Sequence, residues 1–157
     1  MSLMRRFRAY WLILLSNFRR YHGLRTRSRH HFSAAERLLT RALGLDQTHA
    51  KARMSRALLR WRELDDWVGA IDDFTTLLTQ YPSQHEALFN RGMAHYRAGD
   101  YHASAIDLAA FIQRDPDSRW VHHAKIQLQG LYSIIDDLPK QLPPPDIPIL
   151  SPPQVDQ

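Results

Sequence analysis

Residues 87–101 of this chain read ALFNRGMAHYRAGDY, and they carry the clearest structural signal in the sequence. Phe89, Met93 and Tyr96 lie three or four positions apart, which is the spacing of one face of an α-helix. The glycine and aspartate that follow predict a tight turn, with the Asp100 side chain placed to cap the next helix. The stretch therefore predicts two helices joined as a hairpin.

The hairpin recurs along the chain with a nearly constant period. Aromatic residues open successive second helices at intervals of 35 and 34 residues, at Phe32, Trp67 and Tyr101. Three more columns keep this period, with small residues at Gly23, Ala57 and Gly92, small residues at Ala35, Ala70 and Ser104, and larger apolar residues at Leu39, Phe74 and Leu108. The small residues let two antiparallel helices approach closely, and the larger ones fill the space beside the contact.

Residues 87–101 closely resemble the first helix and turn of the tetratricopeptide repeat, a helix hairpin of about 34 residues. Residues 67–74 are similar to the second helix of that repeat. The resemblance is good over residues 50–118 and is confined to the second helix over residues 16–49. It departs at Ser104 and Phe111, where smaller residues are usual, and at one residue inserted near Leu64.

The resemblance and the period predict an all-α fold, an α-solenoid of about three tetratricopeptide-like hairpins with a C-terminal capping helix. Seven helices are expected, at residues 5–29, 33–45, 49–63, 67–80, 85–98, 101–114 and 118–136. The predicted domains are a basic amphipathic N-terminal helix (1–29, the first helix of hairpin 1), the repeat domain with its cap (30–137) and a tail (138–157). The tail holds seven of the nine prolines, so it is expected to be extended or disordered.

Positive charge is concentrated at the N-terminal end. Residues 1–35 contain eight arginines and no acid, whereas the remainder has thirteen Lys and Arg against sixteen Asp and Glu. These arginines are the candidate contacts to an acidic surface: Arg5, Arg6, Arg8, Arg19, Arg20, Arg25, Arg27 and Arg29. The apolar run at residues 11–15 is shorter than the roughly 20 residues of a bilayer-spanning helix, and no cleavage signal follows it. The sequence favours a cytoplasmic protein, with peripheral membrane contact as an option.

A tetratricopeptide array typically lines a concave groove with the first helix of each hairpin, and the resemblance implies a partner-binding groove here. Its candidate residues are Lys51, Met54, Leu58, Trp61, Arg62, Phe89, Met93, Tyr96 and Arg97. Aromatic side chains, methionines and arginines suit a peptide of another protein that has apolar anchors and some acidic character. The alternative is that several of these residues only pack against neighbouring helices or the tail.

Some family members hold a chaperone's C-terminal carboxylate with a defined set of Lys, Arg and Asn side chains. Arg20 and Asn90 could belong to such a set. Leu24, Ser55 and Glu86 depart from it, so this carboxylate clamp is not predicted.

The N-terminal helix supports a second hypothesis. Its large apolar residues form one stripe between the arginines, a combination that suits an anionic lipid surface: Phe7, Tyr10, Trp11, Leu14, Phe18 and Tyr21. The alternative is that the stripe packs on the helix at 33–45 within the first hairpin. Nucleic-acid binding through the same arginines is a third hypothesis, unsupported by a recognisable motif.

Enzyme chemistry and cofactors are not predicted. The absence of cysteine excludes thiolate metal sites, disulfides and cysteine nucleophiles. Neighbouring histidines such as His122 and His123 lack the spacing of three or four residues that a helical metal pair prefers, and no phosphate-binding loop is present. We therefore expect no catalytic residue and no metal ligand, and a scaffold or adapter function.

Overall fold

The computed structural model describes residues 3–137 of the chain, and these residues are almost entirely helical. Each helix packs against the next one along the chain. The elements are α1 (Leu3–Thr26), α2 (Arg29–Leu45), α3 (Ala50–Leu59), a π-helix (Arg60–Leu64), α4 (Trp67–Gln80), α5 (His85–Ala98), α6 (Tyr101–Arg114) and α7 (Val121–Asp137).

The order of contacts makes three hairpins, α1/α2, α3/α4 and α5/α6, with α7 packed on α6. The predicted fold class is confirmed: an all-α solenoid of three helix hairpins closed by one further helix. No β-strand occurs between residues 3 and 137. The Pro-rich tail predicted at 138–157 lies outside the described residues.

The predicted bounds of α4, α5 and α6 match the structure residue for residue. The first predicted helix, 5–29, is too long at its C-terminal end. Arg27 adopts a left-handed backbone conformation with φ of 50°, which breaks the helix after Thr26 and lets α2 begin at Arg29. The last helix begins at Val121, three residues later than predicted.

The cap predicted at Asp100 is confirmed, and Asp66 caps α4 in the same way. The Asp66 carboxylate accepts a hydrogen bond of 3.0 Å from the backbone N–H of Gly69, and Asp100 accepts one of 3.0 Å from that of Ala103. Gly99 ends α5 with φ of 83°, a conformation that L residues with side chains rarely adopt. These contacts set the tight turns inside the second and third hairpins.

The small-residue columns lie at the closest contacts within the hairpins. A Cβ atom added to Gly92 would lie 3.1 Å from Leu108 Cγ on α6, so the Leu108 side chain would have to shift by a few tenths of an ångström. At Gly23 an added Cβ would meet the ring of Phe32 even more closely, at 2.6 Å. The columns therefore set how near the paired helices can come.

The α1 helix packs on α2 through its small side chains and not through its aromatic stripe. Ala9, Ile13, Ser16 and Gly23 are buried against α2. The stripe that the sequence predicted is exposed along its whole length, at Phe7, Tyr10, Trp11, Leu14, Phe18 and Tyr21. The interpretation in which this stripe packs on the second helix is therefore wrong, because the side of α1 that faces α2 carries Ile13 and small residues, and Gly23 leaves no room for a larger side chain beside Phe32.

The residue inserted near Leu64 is accommodated by the π-helix. The widened turn runs from Arg60 to Leu64, and the backbone N–H of Asp66 donates a 3.0 Å hydrogen bond to the Arg60 carbonyl oxygen. Asp65 then leaves the helix with φ of 55°. A single extra residue commonly forms such a π turn, frequently at functional sites. The predicted continuous helix 49–63 is therefore α-helical only as far as Leu59.

Each of the last two hairpins contains a buried ion pair whose arginine also donates a hydrogen bond to the hairpin before it. The Arg56 guanidinium of α3 donates to both Asp73 oxygens on α4, at 2.6 and 2.8 Å, and to the Thr40 hydroxyl on α2 at 2.9 Å. Burial alone would lower the pKa of Arg56, but its hydrogen bond to Asp73 and the charges of Asp73, Glu36 and Asp66 outweigh burial and raise it. We call this arrangement the Arg–Asp clasp.

The same clasp recurs one repeat later. Arg91 of α5 donates to both oxygens of Asp107 on α6, each at 2.7 Å, and to the Thr75 hydroxyl on α4 at 3.1 Å. Asp73 and Asp107 are both buried and lie 34 residues apart. The repeat period therefore preserves a buried polar contact as well as apolar packing.

Within residues 3–137, no helix has both the length and the unbroken apolar character that crossing a bilayer would require.

Replacing Gly92 with leucine should destabilise the stack. The new side chain would collide with Leu108 and Asp107, and overpacking of this kind costs roughly 1–3 kcal/mol. Gly130→Leu is the matched control, because an added Cβ at Gly130 has nothing within 4 Å. Since leucine favours helix over glycine by up to about 1 kcal/mol, the control should be neutral or slightly more stable. Urea unfolding followed by circular dichroism measures both, and equal losses would contradict the close contact at Gly92.

Candidate functional site

The candidate site is built from first helices of neighbouring hairpins. Its core is a contact across hairpins, in which Arg62 Nη2 of the π-helix donates a 3.2 Å hydrogen bond to Asn90 Oδ1 on α5. The Arg62 guanidinium also lies 4.7 Å from the centre of the Trp61 ring, which is cation–π distance. We call the surface formed by α3, the π-helix and α5 the α3/α5 groove.

Arg62 is exposed at the surface although two neighbours hold it in place. Its pKa is lowered first by partial burial of the guanidinium and second by the positive charge of Arg20, which together outweigh Glu86 and Glu63. An arginine remains charged at neutral pH in spite of such a shift. The lowered pKa therefore marks a position where a further negative charge would be favourable.

Asn90 is almost completely buried, with 1% of its surface exposed. Its amide nitrogen donates to the Glu86 carbonyl oxygen at 2.8 Å, and its amide oxygen accepts from Arg62. The amide is thus used to position Arg62. This arrangement differs from the clamp considered for Asn90 in the sequence, where the side chain would face a bound carboxylate.

Apolar side chains border this polar contact on both helices. Met54, Leu58 and Trp61 are half-buried and pack on the core that the second hairpin shares with Ala87 of α5. Met93 and Tyr96 are half-buried on α5 and pack on the core of the third hairpin. Each keeps part of its surface accessible, so packing on the core leaves the predicted groove role open to these five residues.

The remaining predicted groove residues lie at its margins or beneath it. Lys51 is exposed in the first turn of α3, and the exposed Arg97 lies over the Trp67 ring at 5.6 Å. Phe89 is only 6% exposed, because the Trp120 ring stacks on it at 5.7 Å and 25°. The expectation that Phe89 lines the groove is therefore corrected: it is a core residue covered by the segment that leads into α7.

The predicted acidic-surface arginines separate into three groups. Arg29 pairs with the Asp65 carboxylate at 3.5 Å and donates to the Leu64 carbonyl oxygen, so it helps to join α2 to the end of the π-helix. Arg19 and Arg20 are half-buried on α1. Five others are exposed, at Arg5, Arg6, Arg8, Arg25 and Arg27.

The Arg62–Asn90 contact was missed by sequence reasoning. The available signals were the inserted residue before Trp67 and a polar residue, Asn90, inside an otherwise apolar run of α5. Neither reveals that the insertion forms a π turn or that Arg62 then faces α5. Among residues 3–137, no group of three or more His, Asp or Glu side chains is close enough to hold a metal ion.

His95 of α5 lies beside the second clasp. Its Nε2 atom is 4.0 Å from Asp107 Oδ2, and its Nδ1 atom is 3.6 Å from an Asp100 carboxylate oxygen. Burial is the main cause that lowers the pKa of His95, and the positive charge of Arg91 adds to it against the two carboxylates. His95 is therefore held preferentially in its neutral form.

Comparison with known families agrees with this architecture. Two family models described as tetratricopeptide repeat match the chain, one over residues 22–84 and the other over residues 65–129. The chain belongs to the tetratricopeptide repeat family. The two matches span α2 to α6 and include both clasps of this tetratricopeptide repeat protein. No curated protein matches its sequence.

Solved tetratricopeptide repeat structures share the fold at low sequence identity. The first TPR of Spaghetti (RPAP3), bound to the HSP90 peptide SRMEEVD, has a TM-score of 0.69 at 17% identity, over 82% of this chain and 94% of that one. The Arabidopsis OM64 TPR domain has a TM-score of 0.67 at 18% identity, over 80% and 98%. The second TPR domain of human RPAP3, in complex with the HSP70 peptide SGPTIEEVD, gives 0.63 at 17% identity, over 79% and 98%.

The low pKa of His95 predicts a loss of stability on acidification. Below the unfolded-state pKa of about 6.5, the unfolded chain binds a proton at this site that the folded chain resists. The contribution of neutral His95 to the free energy of unfolding is therefore complete above that pKa and is lost as the pH drops through it. Urea unfolding at several pH values should show a flatter dependence for His95→Gln between about pH 7 and 5.

The matched control is His102→Gln, because His102 is an exposed histidine on α6. This variant should keep the pH dependence of the unsubstituted protein. An unchanged slope in His95→Gln would mean that burial of His95 does not govern its protonation.

Proposed function

We propose that this chain is a non-catalytic scaffold that holds a peptide segment of another protein in the α3/α5 groove. The groove offers half-buried apolar side chains on two neighbouring first helices, with a cation between them. This combination suits an extended or helical segment that carries an apolar anchor and an acidic side chain.

The observation that carries the proposal is the way Arg62 is held. Stacking on Trp61 and the hydrogen bond to Asn90 fix the guanidinium before any ligand arrives, so little side-chain entropy would be lost on binding. A guanidinium has five N–H donors, and the bond to Asn90 is made through Nη2. A carboxylate of the partner could therefore accept charge-assisted hydrogen bonds from Arg62.

Apolar contacts would provide the remainder of the affinity. Met54 and Leu58 lie on one side of Arg62 in sequence, and Met93 and Tyr96 lie on the facing helix. Methionine side chains adapt to different apolar partners, and tyrosine contributes a large contact area at low entropic cost. The groove would thus accept different apolar anchor residues but require an acidic side chain in the peptide.

The peptides bound by two similar structures have chemistry of this class. Both peptide sequences end in Glu-Glu-Val-Asp, which combines acidic residues with one apolar residue. The present chain would meet the acid with Arg62, because the Asn90 amide is engaged within the protein and Glu86 and Ser55 are not cationic. We therefore propose a peptide ligand that combines apolar and acidic residues. We do not propose that the ligand is one of those chaperone peptides.

Selection from a random peptide library against the full-length protein tests the proposal. The selected peptides should share an apolar or aromatic residue near an Asp or Glu. Arg62→Ala should weaken their binding by at least 2 kcal/mol, roughly 30-fold, as expected for the loss of a central arginine. Arg62→Glu should reverse the selection from acidic to basic peptides. Fluorescence anisotropy with labelled peptides measures each affinity.

Exposed residues on second helices provide matched controls. Arg114→Ala on α6 removes an exposed cation, and Val68→Ala on α4 removes an exposed apolar side chain. Neither should change the affinity. Peptides that bind Arg62→Glu as tightly as the unsubstituted protein would place the ligand outside the α3/α5 groove.

A further inference from the structure

The outward face of α1 is covered by large apolar side chains. Trp11 is 57% exposed and Phe18 is 58% exposed, although both lie in the middle of a helix that packs firmly on α2. Ten such residues occupy this helix: Leu3, Met4, Phe7, Tyr10, Trp11, Leu14, Leu15, Phe18, Tyr21 and Leu24. We call them the α1 apolar face.

This face is larger than the packing of the hairpin explains. Five of its members are aromatic and more than half exposed, and a fully exposed aromatic side chain offers about 150–250 Å². The five together leave on the order of 500 Å² accessible, already near the upper end of about 300–600 Å² for the largest patch on a monomer. The aliphatic members increase the area further.

The face includes an open groove of about 530 Å³. Its walls are almost entirely apolar, and the two charged residues on its rim are Arg8 of α1 and Arg41 of α2. Apolar walls with cationic edges fit a ligand that has hydrocarbon next to negative charge.

The arginines of α1 flank the apolar face on both sides. At 100° per residue, Arg8 and Arg19 lie along one flank and Arg6 lies along the other, whereas the half-buried Arg20 lies on the side of α1 that faces α2. Residues 1–35 contain no acidic side chain that would neutralise them. The flanks therefore lie between the exposed apolar face and the face buried on α2.

We propose that α1 is an interfacial helix that docks this protein on the surface of an anionic lipid bilayer. The apolar face enters the boundary between headgroups and acyl chains, and the arginines on both flanks contact lipid phosphates. Aromatic side chains favour this boundary because their rings combine an apolar body with a polar or polarisable edge.

Docking needs no unfolding of the first hairpin. The α1 helix contacts α2 through Ala9, Ile13 and Ser16, which lie on the side opposite Trp11 and Phe18. The apolar face can therefore enter a membrane while the hairpin remains closed. The α3/α5 groove is made by other helices, so a bound peptide and a membrane would not compete for the same side chains.

The positive charge of α1 favours an anionic lipid bilayer over the other partners that could cover the apolar face. A second copy placed on α1 would bring two sets of arginines together without an acid between them, which opposes dimerisation. The tail at 138–157 has one lysine and two aspartates, too little negative charge to balance the arginines. A nucleic acid would match the arginines but would leave the apolar face without an apolar partner.

Sedimentation of the full-length protein with vesicles tests the proposal. The protein should pellet with an equimolar mixture of phosphatidylcholine and phosphatidylglycerol and remain in solution with phosphatidylcholine alone. Trp11→Ser with Phe18→Ser should weaken binding at least ten-fold. The matched control, Val68→Ser with Ile106→Ser, removes exposed apolar residues from α4 and α6 and should leave binding unchanged.

A second pair of variants tests the charge. Arg5→Gln, Arg6→Gln and Arg8→Gln together should weaken binding at least ten-fold, whereas Arg114→Gln, Arg119→Gln and Lys125→Gln should have little effect. All six side chains are exposed, so folding should survive in both proteins. Equal losses of binding in the two triple variants would mean that only the net charge of the protein matters. That result would overturn the proposal of a dedicated α1 surface.

Spin labels test the orientation of the helix, because the chain contains no cysteine and each introduced cysteine is unique. A nitroxide at Leu14→Cys should become accessible to oxygen and protected from an aqueous nickel complex on vesicles. One at Asn17→Cys, nearer the flank, should stay more accessible to nickel. Equal accessibility at the two positions would contradict immersion of the apolar face.

The alternative occupants give different results in the same experiments. Sedimentation equilibrium without vesicles should show a monomer, and a dimer that Trp11→Ser dissociates would overturn the proposal in favour of a second copy. Vesicle binding that appears only after Ile147→Ser, Ile149→Ser and Leu150→Ser would identify the tail as the occupant. Binding to RNA or DNA without binding to vesicles would also overturn the proposal.

Discussion

The Arg–Asp clasp is the contact on which the arrangement of the stack depends. Each clasp joins three helices, since its arginine bonds a carboxylate in its own hairpin and a threonine in the preceding hairpin. A buried carboxylate is costly unless its partner is in place, so a shift of α5 along α6 would take Arg91 away from Asp107 and be opposed. The clasps and the contacts of Gly23 with Phe32 and of Gly92 with Leu108 therefore favour the same register of the helices.

That register determines which surfaces remain accessible. The second helices turn their carboxylates inward, and the first helices α3 and α5 are left side by side with Arg62 extending from one towards the other. The π-helix contributes to this placement, because its widened turn ends the regular helix before Trp61 and Arg62. The apolar face of α1, on the first hairpin, is exposed. The two candidate surfaces thus have different origins, one in the repeat and one at its edge.

Much of the fold could be predicted from the sequence because it depends on local signals. Turn residues, capping aspartates and a period of small residues gave the bounds of α4, α5 and α6 correctly. The end of α1 could not be predicted, since Arg27 carries no obvious preference for the left-handed conformation that stops the helix. The inserted residue near Leu64 was visible in the spacing, but whether it lengthens a loop or widens a helix turn depends on the packing around it.

The candidate site was less predictable because it depends on which face of a helix is buried. For α1 one interpretation took the large aromatic residues as the packed face, yet the side that faces α2 carries Ile13 together with Ala9, Ser16 and Gly23. For α5 the helical period placed Phe89 in the groove, whereas stacking by Trp120, from a distant part of the sequence, covers it. Arg62 was predicted as a cation of the groove, but its hydrogen bond to Asn90 appears only when two hairpins are stacked.

A double-mutant cycle on Arg91 and Asp107 measures the coupling within one clasp most directly. Urea unfolding of the full-length protein would be compared for Arg91→Met, Asp107→Leu and the double variant. Breaking a buried pair on one side costs about 3–5 kcal/mol, whereas replacing both members by apolar residues costs much less. Coupling between Arg91 and Asp107 should make the double variant more stable than either single variant. Additive losses, with no coupling between the two residues, would contradict it.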